Sequence, residues 1–185
     1  MTAFAISLIG QHEVNRMKLI FNIIKPIIYL IGSIFTIGKK QIETHFAILY
    51  IFLLKGYSFK DVIYLLKQSD HETGYLTSGF SLTYNNVFGM HYPYTRPTTA
   101  LGKVNGDGGE VATYSDIYNS VYDRFLWDNY NDIHNSINYQ TQVLQHNYNL
   151  NPNYNNIVNS LKQPPLYPFV LAFITIVITL IFIIK

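Results

Sequence analysis

The chain has 185 residues, of which 13% are charged and 49% hydrophobic, and its formal net charge is +2. That length suits one domain with its own core, the small charge gives no footing for a nucleic-acid partner, and a charged fraction well below the quarter or so usual in soluble domains points to part of the chain lying in lipid. The absence of cysteine excludes disulfides and thiolate metal sites and leaves the redox compartment open, while 16 tyrosines fit either an AT-rich coding sequence or a carbohydrate-binding surface.

Residues 17–37 are largely apolar, interrupted by Asn22, Lys25 and Pro26. The run reads as a second membrane span, an interfacial helix or an uncleaved anchor. The residues ahead of Met17 and the lack of a small-residue cleavage site argue against a cleaved signal peptide. Residues 1–40 are therefore set apart as an apolar, membrane-associated segment. From 41 to 163 the chain reads as one mainly helical domain. Ile42, Phe46, Leu49, Ile51, Phe52 and Leu53 mark a helix closed by Gly56. Ser58 starts the next, with Asp61 three residues on as an acidic form of the capping box. Val62, Ile63, Leu65 and Leu66 form its buried face, and it runs out at His71-Glu72-Thr73-Gly74.

Residues 75–110 are rich in Gly, Thr, Tyr and Asn and read as loops, with a short hairpin around 105–109. A third helix is expected over 115–130, with Ile117, Val121, Phe125 and Leu126 inward. Helical periodicity returns over 133–144 and 154–161, separated by Asn151-Pro152-Asn153. Residues 167–184 form an uncharged apolar run, preceded by Pro164 and Pro165. As a helix it would be about 27 Å long, close to the hydrocarbon thickness of a bilayer. Residues 164–185 are thus expected to form a transmembrane anchor, whose orientation the few flanking lysines leave open.

The histidines His71, His91, His134 and His146 match no zinc-ligand spacing, and Asn105-Gly106-Asp107 is too short for a calcium loop. Neither a metal nor another cofactor is expected. A carboxyl at the end of a buried apolar helix, beside a Gly-rich stretch, suits a general acid, because burial disfavours the charged form. Glu72 stands there. By periodicity alone, a solvated helix-end glutamate is the commoner occupant of such a position.

The surrounding residues bear on this. His71-Glu72-Thr73-Gly74, then Asn85-Asn86-Val87-Phe88-Gly89-Met90, then Val111-Ala112-Thr113-Tyr114-Ser115, and then Tyr148-Asn149-Leu150-Asn151-Pro152-Asn153-Tyr154 follow one another in an order that resembles the bacterial glucosaminidase family of flagellar and autolysin peptidoglycan hydrolases. The resemblance covers residues 41–162. It implies an α+β, mainly helical, lysozyme-like fold with a small β-lobe. It also implies cleavage of β-1,4 bonds of the glycan strand, by hydrolysis or as a lytic transglycosylase.

On that resemblance Glu72 would protonate the glycosidic oxygen. Asn85, Asn86 and Phe88 would shape the cleft floor, or else form a structural turn with Phe88 in the core and Asn86 at positive φ. Tyr114 would face the substrate near the acid, and Tyr148 would contact it. Glu110 is preferred to Asp107 as the second carboxylate, the alternative being the substrate's own acetamido group. Leu150 and Asn151 stand where the family has Thr and Asp, so any role of that Asp is lost.

The implied partners are peptidoglycan glycan strands and a lipid bilayer, with other virion or envelope proteins as further candidates and no nucleic acid. The catalytic domain would face peptidoglycan from a cell envelope or a virion membrane. The membrane segments would do the work of the missing wall-binding repeats. That architecture suits a bacteriophage lysis or entry protein, or an enzyme of envelope remodelling. The alternative is a structural protein of a membrane or virion with a decayed hydrolase domain.

Overall fold

The computed structural model describes residues 3–34, 37–75, 77–106, 108–134, 136–164, 166 and 169–170. Among these the protein is mainly helical with one small sheet. In chain order the elements are α1 (Ala3–Ile34), α2 (Lys39–Leu54), α3 (Phe59–Thr73), α4 (Gly79–Tyr84), β1 (Gly102–Gly106), β2 (Gly109–Thr113), α5 (Ile117–Tyr130), α6 (Tyr139–Gln145) and α7 (Tyr154–Ser160). Strands β1 and β2 form an antiparallel hairpin in which Asn105 faces Glu110 and Lys103 faces Ala112.

Helix α1 begins well before Met17 and continues through Pro26, which costs it one backbone hydrogen bond. Val14, Met17, Phe21 and Ile28 form a stripe at helical spacing and are fully buried. That stripe packs against α2 and α5, with Phe21 4.9 Å from Phe46 and 6.1 Å from Tyr118 between ring centroids. Lys18 pairs with Asp116 at 2.6 Å, and Glu13 with Lys55 at 2.6 Å. The expected boundary at residue 40 is therefore not a boundary of packing, because α1 supplies one wall of the core. Its opposite face leaves Leu19, Ile23 and Leu30 exposed. Among the described residues no helix is long and apolar enough to cross a membrane. The apolar run over 167–184 lies outside the described residues except for 169–170.

The middle of the chain differs from expectation in two places. Helix α4 falls in a stretch read as loop, since one and a half turns are too short to display a period. The helix expected over 133–144 starts only at Tyr139; Asp132, at φ 53°, ends the path of α5, and turns lead from there to α6.

Candidate active site

Glu72 sits in the last turn of α3. The helix starts where the Ser58 hydroxyl accepts from the Asp61 backbone N–H at 3.2 Å, and it ends where Gly74 takes φ 56°. Two other segments close on the Glu72 carboxyl. From α7, the Tyr154 hydroxyl donates to Glu72 Oε1 at 2.5 Å. From the loop before the hairpin, Gly89 comes up beside Oε2, so close that a Cβ there would lie 2.9 Å from it.

That loop is held on both sides. The Ser69 hydroxyl of α3 donates to the Val87 carbonyl at 2.9 Å, and the Val87 N–H donates to the Ser120 hydroxyl of α5 at 3.1 Å. Burial pushes the Glu72 carboxyl above the ordinary glutamate range. The Tyr154 hydrogen bond and the charges of His71 and His91 pull the other way without cancelling it.

A cavity of about 290 Å³ opens beside Gly89, lined among others by His91, Tyr92, Arg96, Trp127, Tyr130 and Tyr148. Aromatic rings with polar edges suit a sugar, which has apolar faces and a polar rim. One wall is stapled to α5 by Asp123. This carboxylate accepts from Arg96 Nη1 and Nη2 at 3.0 and 2.8 Å, from the Thr99 N–H at 3.2 Å and from the Tyr114 hydroxyl at 2.8 Å.

Beneath the floor lies Arg124, with no exposed surface. Its guanidinium is 4.7 Å from the ring centroids of both Trp127 and Tyr148. It pairs with Asp128, which also accepts from the hydroxyls of Tyr57 at 2.8 Å and Tyr139 at 2.6 Å. Among the described residues, no cluster of three or more acidic or histidine side chains could hold a metal ion.

A half-buried carboxyl against Gly89, which lines a cavity rimmed with aromatic side chains, suits a glycosidase. A family model described as mannosyl-glycoprotein endo-beta-N-acetylglucosaminidase matches residues 51–164, more than half of the chain. The chain belongs to the glucosaminidase family of peptidoglycan hydrolases. No curated protein and no solved structure matches it.

The residues expected to line this glucosaminidase's cleft are used in several ways. Asn86 is buried, and its amide donates to the carbonyls of Met90 and Ala112, both at 2.9 Å, while its Oδ1 accepts from the Met90 N–H. It joins the loop to β2 and has no side-chain atom to spare for substrate. The positive φ falls on Asn85 (53°), not on Asn86. Asn85 donates to the Tyr114 carbonyl at 3.2 Å. The Phe88 ring is in the core, with the Arg124 guanidinium 5.8 Å from its centroid. Its carbonyl accepts the Tyr148 hydroxyl.

Tyr148 does line the cavity. Tyr114 is 4% exposed and its hydroxyl donates to Asp123, which braces the cleft wall. Glu110 stands on β2, its carboxylate 2.6 Å from Lys103 Nζ and accepting the Tyr94 hydroxyl. Asp107 lies outside the described residues.

Tyr154, Gly89 and His91 complete the surroundings of the acid. Tyr154 closes the fourth motif and Gly89 lies within the second, so both were in view as sequence. Their contact with Glu72 spans 82 and 17 positions of chain and follows from no local pattern. Gly89 offers a direct test. A side chain there meets both a strained φ of 63° and the Glu72 carboxylate. Gly89→Ala should displace the carboxyl and lower turnover on the order of 10²-fold, the scale of a small misplacement of a reacting group. Turnover close to that of the parent in a glycan-digestion assay would show that Gly89 does not set the acid's position.

Proposed function

We propose that this glucosaminidase cleaves the β-1,4 bond on the reducing side of N-acetylglucosamine in the glycan strand, with Glu72 as general acid. The observation that carries this is a carboxyl raised by burial beside an aromatic-lined cavity. Glu72 gives its proton to the glycosidic oxygen as the carbon–oxygen bond breaks toward that oxygen. The positive charge developing on the sugar carbon is met by a second carboxylate or by the substrate's acetamido oxygen. Mass spectrometry of digested sacculi tests the reaction type. Reducing N-acetylglucosamine ends are expected. Anhydro-muramic ends would make the chain a lytic transglycosylase, and reducing muramic acid ends a muramidase.

Glu110 is the second carboxylate in this reading. It lies on the hairpin whose tip, at Gly109, approaches His91, and His91 in turn faces Glu72 and the cavity. Glu110→Gln is expected to lower turnover by roughly 10²-fold or more, as for a placed acid–base group. Unchanged turnover would transfer the role to Asp107 or to the acetamido group.

Attachment to a membrane through residues 164–185 belongs to the same proposal, as does service in phage lysis, phage entry or envelope remodelling. It is supported by the uncharged apolar run over 167–184 and by the exposed Leu19, Ile23 and Leu30 on α1. A chain lacking 164–185 should leave the membrane fraction on carbonate extraction and still digest sacculi. If it stays with the membrane, the α1 face is the attachment; if it aggregates, the deleted residues belong to the fold.

A further inference from the structure

Gln68 lies one turn before Glu72 on the same face of α3 and has no exposed surface. Its Oε1 accepts from Arg124 Nη2 at 3.4 Å, while its Nε2 has no hydrogen-bond partner among the described residues. Arginine has only donors, so the carbonyl end of the Gln68 amide must face Arg124 and the amino end must face away. The Tyr154 phenol is bonded to Glu72, one turn along the same face of α3 from Gln68, and a Gln68 donor would favour its ionised form. A buried N–H without a partner is costly, and the Tyr154 phenol oxygen, already at Glu72 one turn away, is the acceptor taken here for it. The same phenol carries one proton, and that proton goes to Glu72 Oε1.

We propose that Gln68 is a positioning residue. Held by Arg124, its amide occupies a lone pair of the Tyr154 oxygen, aims the Tyr154 proton at Glu72 Oε1, and confines the acid proton of Glu72 to Oε2. The inference rests on Glu72 being the general acid. A carboxylic acid carries one proton on one of two oxygens. With Oε1 engaged as an acceptor, the O–H is on Oε2, the oxygen beside Gly89, which itself lines the cavity. After transfer to the glycosidic oxygen, Oε1 of the resulting carboxylate still accepts from Tyr154, so nothing in the network has to turn during the step. The chain Asp128–Arg124–Gln68–Tyr154 thus decides which face of the acid is acidic, and it does so without touching substrate.

The test uses Gln68→Met, close in length and volume but unable to bond either neighbour, together with Tyr154→Phe and the double variant. Gln68→Met should lower kcat on the order of tenfold, the scale of one net hydrogen bond, with KM little changed. The alkaline limb of kcat should move to higher pH, because a freed Tyr154 hydroxyl donates less well to Glu72 and the acid then stays protonated longer. In the Tyr154→Phe background, Gln68→Met should have no further effect on kcat or on the limb. Unchanged kcat and pH profile in Gln68→Met, or equal losses in both backgrounds, would overturn the proposal, since a merely structural role lowers both alike.

Nuclear magnetic resonance on the unsubstituted protein gives a reading independent of how the variants fold. The Gln68 amide protons should exchange slowly and show a cross-relaxation contact to the Tyr154 ring, and absence of that contact also overturns it. Glu72→Gln measured alongside separates the two ideas. If that variant is active, the acid assignment itself fails; if it is inactive while the other two substitutions act additively, only the Gln68 inference fails.

Discussion

Glu72→Gln is expected to lower the rate of glycan digestion by roughly 10²–10⁴-fold, the range attributed to a positioned acid or base. Gln has nearly the same shape, and its carbonyl oxygen still accepts the Tyr154 hydroxyl, so the walls of the site should stay in place. What is lost is the proton. The same substitution should affect stability with a definite sign. Burial raises the Glu72 pKa in the folded chain. The folded state therefore binds the proton more tightly than the unfolded one, and the stability this confers is present below the ordinary glutamate pKa of about 4.3. It is lost as pH rises through the raised folded value. At neutral pH the native protein carries the cost of burying an ionisable carboxyl, a cost that glutamine lacks. Glu72→Gln should thus melt higher than the parent at pH 7, with the gain shrinking toward pH 4. Thermal melting at the two pH values checks this. No gain at pH 7 would mean that burial does not raise the Glu72 pKa, and undiminished digestion would remove Glu72 from the chemistry altogether.

The largest stability effect is expected at Asp128. Arg124 and Asp128 both have no exposed surface, and the tyrosine hydroxyls of Tyr57 and Tyr139 complete the shell of the carboxylate. Asp128→Ala leaves the guanidinium without its counter-ion and two buried hydroxyls without their acceptor. Breaking a buried pair from one side costs about 3–5 kcal/mol, because the remaining charge is uncompensated. A domain with the usual total of about 5–15 kcal/mol would lose a large share of it. Replacing both partners with apolar residues, as Arg124→Met with Asp128→Leu, should recover much of that loss while still reducing turnover, since Trp127 and Tyr148 would lose the cation they pack against. Urea unfolding of the three proteins decides the stability part. A loss below about 1 kcal/mol for Asp128→Ala would show that water or rearrangement compensates the buried arginine, contrary to its depth in the core.

The single-residue change with the most local cause, Gly89→Ala, acts on the same carboxyl from the other side. The acid is therefore held by three segments that are distant in sequence: α3 carries it, α7 bonds one oxygen, and the loop before the hairpin abuts the other.

Much of this protein was determined by sequence in a local sense. Apolar spacing at helical period marked α2 and α3, Ser58 and Gly74 marked the ends of the second of these, and the Gly-rich stretch around Gly106–Gly109 marked the hairpin. Glu72 was legible as a candidate because it stands at a helix end inside one of four ordered motifs. The same logic was blind to short or interrupted elements. Helix α4 has too few turns to show a period, and the first described residues of the helix expected over 133–144 form turns before α6 begins at Tyr139.

Tertiary structure alone decided the rest, because it depends on which groups meet across long stretches of chain. The apolar face of α1 reads the same whether its partner is lipid or protein, and only packing showed that Val14, Met17, Phe21 and Ile28 meet α2 and α5. The asparagines and tyrosines of the motifs look equally suited to touching sugar. Packing turned Asn86 into a tie between loop and strand and Tyr114 into a brace on Asp123, whereas it brought Tyr148 to the cavity and Tyr154 to the acid. A side chain's chemistry is written in its type, but whether its polar atoms are spent on the fold or left for a ligand is settled by what surrounds them.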